Sequence, residues 1–456
     1  MQPASRPWRR PSIPALARGA LSTAALSLGV VSSGAPPLQA QTAATEIVFA
    51  SGPDDSGTVQ RLLDAFNAAH RGEIQVVWRE MAPENDAHRR ELMDALESTP
   101  GGIDLLAADV IWTAELAHGE RVVDLTDRFY DDFRRDAFLP APLESATYRL
   151  RIWGIPWYTD AGLLFYRRDL LAASGFTEPP GTWDELARMA RTVMDDSGIR
   201  YGFVFQGAPY EGGTANAAEF IWSAGGDLMT PRLAVTGVVV NAVTEVDSVS
   251  VGSPAAARGL DIARELVADG VAPAAVTGFR EQETLDVFAA GEAVFLRNWP
   301  YAYAALQRAG LAAHRIGIAP IPAASGPDGR SASALGGWNL MINASSSDAE
   351  QEAAWTLVRF LTGEDQQRLR AAEAGLLPVL EALYQDPDLV AQVPGMGVGA
   401  RVFESQLRAR PISPFYGAVS DRIAEAFQRV LTGEWTGSEA TARLENELRA
   451  IVQRNR

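Results

Sequence analysis

Aromatic side chains stand beside polar ones in four segments of this sequence that also carry turn residues. The segments are residues 153–160, 206–213, 297–301 and 336–339. A sugar has apolar C–H faces on which rings can stack and hydroxyl edges that carboxylate, amide and guanidinium groups can bond. One such segment alone is usually core packing, because tryptophans are mostly buried. Four in one chain predict a ligand cleft, and we interpret the segments as irregular loops.

The residue types also exclude several chemistries. The 456 residues include no cysteine and no lysine, so all 40 basic side chains are arginines. This composition excludes thiol nucleophiles, zinc–thiolate sites, disulfides, P-loop lysines and Schiff bases. The four histidines form no zinc motif, and no Gly-x-Ser-x-Gly sequence occurs. We therefore expect no metal and no cofactor, while a pair of catalytic carboxylates among the 57 acidic residues stays open at this point.

The charge balance bears on the partners of the protein. With 57 acidic and 40 basic side chains, the net charge is −17 at pH 7. Such a charge disfavours binding to nucleic acid or to an anionic membrane surface. A neutral or cationic small ligand, or a protein partner, is more compatible with it.

The first forty residues have the composition of an export signal. Four arginines precede an apolar run over residues 20–31, and Leu38-Gln39-Ala40 supplies small residues for cleavage. The run is too short to span a membrane. Residues 1–40 are therefore predicted to be a signal peptide cleaved near Ala40, which leaves a periplasmic protein without a lipid anchor because no cysteine is present. Arg9-Arg10 leaves twin-arginine export open beside the general secretory route.

Strand and helix patterns alternate in the next part of the chain. Short apolar strands are predicted at residues 46–50, 74–78 and 103–107, with amphipathic helices between them. This order predicts a mostly parallel α/β sheet, whose ligands bind beyond the carboxyl ends of the strands. Asp109 lies just beyond the third of these strands.

A second α/β region follows, with strands predicted at residues 162–166, 202–205 and 293–296. Thr182-Trp183-Asp184-Glu185 is a capping box that begins a helix. A Gly-, Pro- and Ser-rich connection leads to another apolar strand at residues 338–342. Further helices are predicted at residues 215–223, 255–268, 282–289, 353–361, 423–431 and 440–452.

Three motifs occur in an order that is typical of one family. Trp-Gly-Ile-Pro-Trp-Tyr-Thr-Asp-Ala-Gly begins at Trp153, Arg-Asn-Trp-Pro-Tyr begins at Arg297, and Leu-Gly-Gly-Trp begins at Leu335. With the export signal and the alternating lobes, they resemble the family 1 extracellular solute-binding proteins of ABC importers, and within these most closely the trehalose/maltose-binding branch. The resemblance covers residues 46–450. Each motif alone is unspecific, but their ordered combination is specific.

The resemblance implies a fold and a function. The fold is the type II periplasmic-binding-protein fold, in which two hinge-linked α/β lobes close on a ligand cleft between them. Lobe 1 would contain residues 46–155 and 325–363, and lobe 2 would contain residues 156–324 and 364–456. The implied function is non-enzymatic: the protein binds a disaccharide such as trehalose or maltose and delivers it to the membrane permease. We expect a monomer.

The resemblance also implies which residues contact the sugar. Asp109 would bond hydroxyls from the first lobe, and Trp299 would stack under a sugar ring from the second. Gln206, Tyr210 and Glu211 match the family's Gln-Gly-x-x-Tyr-Glu-Gly stretch. The full implied set is Asp55, Asp109, Tyr158, Asp160, Gln206, Tyr210, Glu211, Trp299, Gly336, Gly337, Trp338 and Arg410.

Two of the ligand contacts stay open. The family places an acidic ligand residue after the first strand, and this loop offers Asp54 or Asp55, of which we prefer Asp55. The family's basic ligand residue on the next helix is Arg89 or Arg90, or has become His88. These contacts lie at one end of the cleft, so they bear on the identity of the second sugar unit.

Two other functions are compatible with the same residues. A secreted glycoside hydrolase acting on a small oligosaccharide needs two carboxyl groups roughly 5–10 Å apart, for which Asp109 and Asp160 are the candidates. A chemoreceptor adaptor would use the same sugar-binding event.

Overall fold

The computed structural model describes residues 44–97, 102–233 and 243–455. The strands are β1 (Thr45–Ser51), β2 (Ile74–Glu80), β3 (Leu105–Asp109), β4 (Thr147–Tyr148), β5 (Arg151–Ile152), β6 (Ile155–Ala161), β7 (Leu163–Arg167), β8 (Tyr201–Val204), β9 (Met229–Leu233), β10 (Val243–Val249), β11 (Ala293–Asn298), β12 (Ile316–Ala319), β13 (Ser333–Ile342) and β14 (Leu407–Arg408). All the strands predicted from the sequence are confirmed, with ends shifted by a few residues.

The helices lie between these strands and at the end of the chain. They are α1 (Thr58–Ala69), α2 (Asn85–Glu97), α3 (Thr113–His118), α4 (Thr126–Asp132), α5 (Pro140–Ser145), α6 (Arg168–Ala173), α7 (Trp183–Ser197), α8 (Glu211–Ser223), α9 (Pro254–Ala268), α10 (Glu281–Ala289), α11 (Ala302–Arg308), α12 (Asp348–Leu361), α13 (Glu364–Ala374), α14 (Pro387–Gln392), α15 (Pro394–Ser405), α16 (Tyr416–Leu431) and α17 (Gly437–Arg454). The predicted helices are confirmed within them.

Several helices begin where the sequence supplies a cap. The hydroxyl of Thr182 accepts a hydrogen bond from the backbone N–H of Glu185, and the Glu185 carboxylate accepts one from the N–H of Thr182. This is the predicted capping box, which satisfies two backbone donors at the start of α7. Ser347 and Thr436 cap α12 and α17 in the same way.

The first sheet has the strand order β14-β13-β3-β1-β2, and β6 also pairs with β13. Strand β1 runs parallel to β2 and β3, whereas β13 runs antiparallel to β3 and β6. Phe49, Leu105 and Leu340 lie in its core together with residues of α1 and α12. The predicted parallel arrangement is thus confirmed for β1, β2 and β3, and β13 adds an antiparallel member.

The second sheet has the strand order β12-β7-β11-β8. Strand β7 runs antiparallel to β11 and β12, and β11 runs parallel to β8. Its largest core cluster includes the rings of Phe203, Phe205, Phe220 and Phe427, which join the sheet to α8 and α16. Each sheet therefore has its own core, and the two sheets are the centres of two lobes.

The chain crosses from the first sheet to the second between β6 and β7. Gly162 stands at this point, where an added Cβ would lie 1.9 Å from Oε1 of Glu219, so only glycine fits there. The predicted boundary assigns residues from 156 onward to lobe 2, but β6 pairs with β13 of the first sheet. Helix α13, also assigned to lobe 2, contacts α1. The other lobe boundaries stay a prediction.

Most of the segments interpreted as loops belong to regular elements. Residues 155–160 lie in β6, residues 336–339 lie in β13, and residues 211–213 begin α8. Glycine and proline favour turns, and Pro156 has no N–H to donate to a strand ladder. The ladder between β6 and β13 has a register shift opposite Pro156, so the strand continues past the missing donor. The polar and aromatic side chains are therefore mounted on strands and on a helix start rather than on flexible loops.

The part of the chain that the structure describes holds no helix that is both long and apolar enough to cross a membrane. A membrane-spanning helix needs about 20 mostly apolar residues. The predicted signal peptide, residues 1–40, lies outside the described residues and stays a prediction.

Candidate functional site

A cleft of about 630 Å³ is lined by residues of both sheets and of the helices around them. The first sheet contributes the carboxyl ends of β1 and β3 together with β6 and β13, and the second lobe contributes the starts of α8 and α10 and the turn after β11. The volume is typical of small-molecule sites, which occupy about 300–1,000 Å³. Eight carboxyl groups and four guanidinium groups line the cleft, which therefore disfavours anions.

Eleven of the twelve predicted ligand-binding residues line this cleft. They are Asp55, Asp109, Tyr158, Asp160, Tyr210, Glu211, Trp299, Gly336, Gly337, Trp338 and Arg410. The structure brings them together from positions more than 350 residues apart in the sequence. Their individual contacts with a ligand stay a prediction.

Gln206 is the exception, because its side chain is fully buried and does not line the cleft. Its Nε2 donates to the backbone oxygen of Arg297 and to Oγ1 of Thr284, both at 2.9 Å. Its Oε1 accepts a hydrogen bond from Nδ2 of Asn216 at 3.0 Å. The amide is thus occupied by the protein, and Gln206 supports the second sheet instead of reaching a ligand.

Two carboxyl groups stand on the first-sheet wall of the cleft. Asp109 ends β3, and its Oδ2 accepts a hydrogen bond from Nδ2 of Asn85 at 2.7 Å. Asp160 lies on β6 and is buried, and its Oδ1 has no hydrogen-bond partner among the described residues. Burial raises the pKa of both carboxyl groups, and the charge of Asp109 raises the pKa of Asp160 further. Asp160 is therefore a buried group with free capacity to bond a ligand.

Arg410 joins the two walls of the cleft. Its Nη1 donates to the Glu211 carboxylate at the start of α8, and its Nη2 donates to the backbone oxygen of Leu335 at 3.0 Å. The same Nη2 lies 3.7 Å from Oδ1 of Asp109. Glu211 also accepts a hydrogen bond from the hydroxyl of Tyr416 at 2.8 Å. The resemblance implies that Arg410 bonds sugar hydroxyls, whereas in this structure its Nη atoms bond groups of the protein.

Trp299 is held at the end of β11 by its neighbours. The guanidinium carbon of Arg297 lies 4.1 Å from the centre of the ring, and the indole Nε1 donates to Oε1 of Glu281 at 3.3 Å. A Cβ on Gly336 would lie 3.0 Å from Cζ3 of the ring. Gly337 has a φ of 123°, a conformation that other residues rarely adopt. Gly336 therefore leaves room for the ring beside β13, whereas Gly337 lies against the backbone of Tyr158 and Thr159 in β6.

Trp338 forms an aromatic group with His88 and Trp112 on the opposite wall, with ring centres 4.9 and 5.4 Å from its own. Burial lowers the pKa of His88 to about 4, so its imidazole is neutral at pH 7. Among the three candidates on this helix, His88 lines the cleft, Arg89 bonds Glu115, and Arg90 is exposed. The geometry therefore favours His88.

Asp54 and Asp55 both lie in the lining of the cleft. Asp54 is engaged by the start of α1, because its Oδ2 accepts hydrogen bonds from the backbone N–H of Val59 at 2.6 Å and from Oγ1 of Thr58 at 3.1 Å. Burial raises the pKa of Asp54, but hydrogen bonds from Ser56 and Val59 outweigh this and leave the pKa below its usual value. Asp55 stays the predicted ligand contact.

The sequence reasoning missed Arg370, which lies on α13 and lines the cleft. Its side chain is almost fully buried, and its guanidinium carbon lies 3.6 Å from the ring centre of Trp157 and 4.8 Å from that of Tyr158. Its Nε and Nη1 have no hydrogen-bond partner among the described residues. A signal was present, since Arg370 shares the buried face of α13 with Gln367 and Ala374, where an arginine is unusual.

Contacts across the cleft mouth were also missed. Arg280 forms an ion pair with Glu84, which precedes α2 on the other wall, and both side chains are partly exposed. Glu281, the next residue, accepts hydrogen bonds from the hydroxyl of Tyr210 and the indole of Trp299. No sequence pattern shows these pairs, because the ion pair depends on how the two lobes meet and the hydrogen bonds to Glu281 depend on tertiary packing within the second lobe.

Comparison with known proteins identifies the family. Residues 50–368 match the family described as bacterial extracellular solute-binding protein. The chain belongs to this family. A probable ABC transporter-binding protein of Deinococcus radiodurans is 37% identical to this solute-binding protein over 382 residues, which are 81% of this chain and 85% of the relative. The resemblance seen in the motifs is therefore confirmed.

The structural comparison confirms the two-lobed α/β fold. Maltose-bound T. maritima MalE3 superposes on this solute-binding protein with a TM-score of 0.78 and 36% identity, over 90% of this chain and 100% of that chain. The galactooligosaccharide-binding protein of Bacillus subtilis is 22% identical over 418 residues, which are 90% of this chain and 91% of the relative. Solute-binding proteins are not enzymes, so the alternative of a secreted glycoside hydrolase is wrong.

Proposed function

We propose that this solute-binding protein captures a disaccharide such as maltose or trehalose and delivers it to the membrane permease of an ABC importer. The relative from D. radiodurans is named as an ABC transporter-binding protein, and the structure of MalE3 contains maltose. These proteins support the class of transporter and the class of ligand. The cleft itself supplies the stronger argument.

The observation that carries the proposal is a concentration of unpartnered polar atoms in the cleft lining. Buried side-chain atoms without a hydrogen bond among the described residues occur on five lining residues: His88, Trp157, Asp160, Arg370 and Arg410. More than about 90% of buried polar groups in proteins have a partner, and each unpaired one costs about 1–3 kcal/mol. Sugar hydroxyls, which both donate and accept, are suitable partners for this mixture of groups.

The charges and rings of the cleft favour a neutral sugar. The surplus of carboxyl groups opposes sugar acids and sugar phosphates, whereas a neutral hydroxyl can bond either a carboxylate or a guanidinium group. Trp299 and Trp338 line the cleft and offer apolar ring surface for the C–H faces of a sugar. A disaccharide uses both kinds of surface at once.

Ligand capture works by closure of the two lobes. A ligand favours the closed state only to the extent that it makes more contacts there, so it must bond both walls. Asp160 would bond it from the first wall, and Trp299 would stack on it from the second. We further propose that the mature protein is a monomer, exported by cleavage of residues 1–40 and free in the periplasm.

Isothermal titration calorimetry tests the proposal, with maltose, trehalose, sucrose and glucosylglycerol as the ligands. We expect at least one of the disaccharides to bind saturably, with one sugar molecule per chain, and to be recovered intact. Absence of binding to all four sugars would contradict the proposed ligand class. A matched titration with glucuronate should give no heat of binding, because the cleft is rich in carboxyl groups.

A further inference from the structure

We propose that Arg370 is a sugar-binding residue that acts together with Asp160 on one hydroxyl group of the ligand. Arg370 donates a hydrogen bond to the oxygen of this hydroxyl, and Asp160 accepts one from its hydrogen. The proposal rests on the proposed function and deepens it, because it names a specificity-determining contact outside the motifs that point to the family. Both side chains line the cleft and are more than nine-tenths buried.

The stacking of Arg370 prepares its guanidinium group for a ligand. One face packs on Trp157, with 3.6 Å between the guanidinium carbon and the ring centre, and Tyr158 lies at 4.8 Å. Such packing fixes the plane of the guanidinium group without using its N–H groups. Nε and Nη1 then remain without a hydrogen bond among the described residues.

The nearby carboxylates do not satisfy Arg370. Asp54 and Asp160 both interact with its charge, yet neither forms a hydrogen bond to it. Asp54 is engaged by the backbone of Val59 and the hydroxyl of Thr58 at the start of α1. Asp160 keeps Oδ1 free as well. A donor and an acceptor, both buried and both unpaired, thus face the same cleft.

This pair defines the chemistry of the group that it binds. A hydroxyl has one hydrogen to donate and lone pairs to accept, so it can satisfy Asp160 and Arg370 at once. A carboxylate or phosphate would bond Arg370 but would be repelled by the carboxylate of Asp54, whose pKa lies below its usual value. An amine would bond the two carboxylates and be repelled by Arg370. The pair therefore selects a neutral hydroxyl.

The two roles that Arg370 could have, in the fold or in ligand binding, predict different effects of its replacement on stability. If Arg370 served the fold alone, its replacement should lower the free energy of unfolding. Burying a charge without hydrogen bonds destabilises a protein, and an apolar side chain of similar volume is often neutral or stabilising in its place. Burial lowers the pKa of Arg370 to about 10, but the group stays charged at pH 7. If Arg370 serves the ligand, its replacement should weaken binding without weakening the fold.

The test compares Arg370→Met with Arg368→Met, two positions away on the same helix. Methionine keeps an unbranched apolar side chain beside Trp157 but removes the guanidinium group, whereas Arg368 is partly exposed and pairs with Glu364 and Asp386 on the surface. We expect R370M to lower the affinity for maltose about 10- to 100-fold, the range for loss of charge-assisted hydrogen bonds. Its urea midpoint should be unchanged or higher. R368M should leave the affinity within about 2-fold of wild type.

Titration with a set of monodeoxymaltoses identifies a direct contact. The wild type should bind one of these sugars about 10-fold or more weakly than maltose because the shared hydroxyl is missing. R370M should lose most of this discrimination at that one position and keep it at the others. If R370M fails to fold, Arg370→Gln, which keeps a polar side chain, is used for the same titrations.

The titrations and urea denaturation distinguish failure of the proposed role of Arg370 from failure of the proposed function. Unchanged maltose affinity in R370M would overturn the proposal, and so would weaker binding with undiminished discrimination against every monodeoxymaltose, because the effect would then be indirect. A fall in the urea midpoint with normal affinity would assign Arg370 to the fold alone. Failure of the wild type to bind any of the sugars would instead contradict the proposed function.

Discussion

Two groups of buried polar side chains in this protein are partnered in opposite ways. The Arg297 network comprises Gln206, Asn216, Glu219 and Arg297 behind the cleft. Nε and Nη2 of Arg297 bond the two carboxylate oxygens of Glu219 at 2.8 and 2.6 Å, and Nη1 donates to Oε1 of Gln206 at 3.2 Å. The Glu219 carboxylate also accepts the backbone N–H of Ala334 at 3.0 Å.

The cleft cluster comprises Trp157, Asp160 and Arg370, which are also buried but are incompletely hydrogen-bonded. The indole Nε1 of Trp157, Oδ1 of Asp160, and Nε and Nη1 of Arg370 are buried and have no hydrogen bond among the described residues. The two groups therefore contain similar side chains, a carboxylate and a guanidinium group in each, at similar burial.

The difference shows how buried charge can serve either the fold or a ligand. In the Arg297 network each charge has geometrically good partners, so the network stabilises the lobe and fixes Trp299 above it. In the cleft cluster the unpaired atoms cost stability, about 1–3 kcal/mol for each buried group. A ligand that bonds these atoms recovers this cost on binding. The first group should therefore control folding, and the second should control affinity.

The largest effect is expected from unpairing the Arg297 network. Glu219→Gln keeps the shape of the side chain but leaves the Arg297 charge buried without a counterion, which costs about 3–5 kcal/mol in the free energy of unfolding. Urea denaturation at pH 7 measures this loss. The double variant Glu219→Gln/Arg297→Met should recover part of it, because no unpaired charge remains. A single-variant loss below about 1 kcal/mol would show that the network does not stabilise the fold.

The next largest effect is expected at Trp299, whose ring packs on the guanidinium group of Arg297. Trp299→Ala should weaken maltose binding by about 2–4 kcal/mol, or about 30- to 1000-fold, because it removes the stacking surface. Calorimetry measures the affinity, and Trp299→Phe should retain most of it. Trp435→Ala is the control, since Trp435 lies in the turn after α16 and outside the cleft lining. Unchanged affinity in Trp299→Ala would refute the stacking role.

The smallest effect concerns Asp86, a carboxyl group on α2 that forms no ion pair among the described residues. Burial raises the pKa of Asp86 to about 6, and the carboxylates of Glu211 and Asp421 add to this, while Arg90 and Arg280 oppose it. A carboxyl whose pKa is raised in the folded state stabilises the protein below its unfolded pKa of 3.8, and this contribution is lost as the pH rises through about 6.

Asp86→Asn removes that pH dependence. The stability of the variant relative to wild type should therefore rise between about pH 4 and pH 6 and then level off. Urea midpoints of both proteins across this range measure the difference, and added salt should reduce it because Asp86 is partly exposed. A difference that stays constant with pH would contradict the assignment.

The sequence predicted much of this arrangement because local patterns decide it. Strands β1, β2 and β3 are short apolar runs between amphipathic helices, and Thr182 begins α7 with a capping box. Tyr158, Asp160, Trp299 and Trp338 lie in motifs whose combination is specific, and all four line the cleft. Here local sequence and tertiary structure agree.

The remaining features depend on tertiary contacts that no local pattern contains. Gln206 follows β8, and only the pairing of β8 with β11 determines that its amide bonds Arg297 instead of a ligand. Arg370 lies more than 200 residues from Trp157, on which it stacks. Residues 155–160 form a strand despite Pro156, because the register shift beside it accommodates the missing donor.

The structure of the complex with maltose tests the central claim most directly. We predict that a sugar hydroxyl lies within hydrogen-bonding distance, about 3 Å, of both Oδ1 of Asp160 and Nε or Nη1 of Arg370. The Arg297–Glu219 pair should keep its geometry. A bound sugar that leaves Asp160 and Arg370 unbonded, or that draws Arg297 away from Glu219, would contradict the division between a network for folding and a cluster for the ligand.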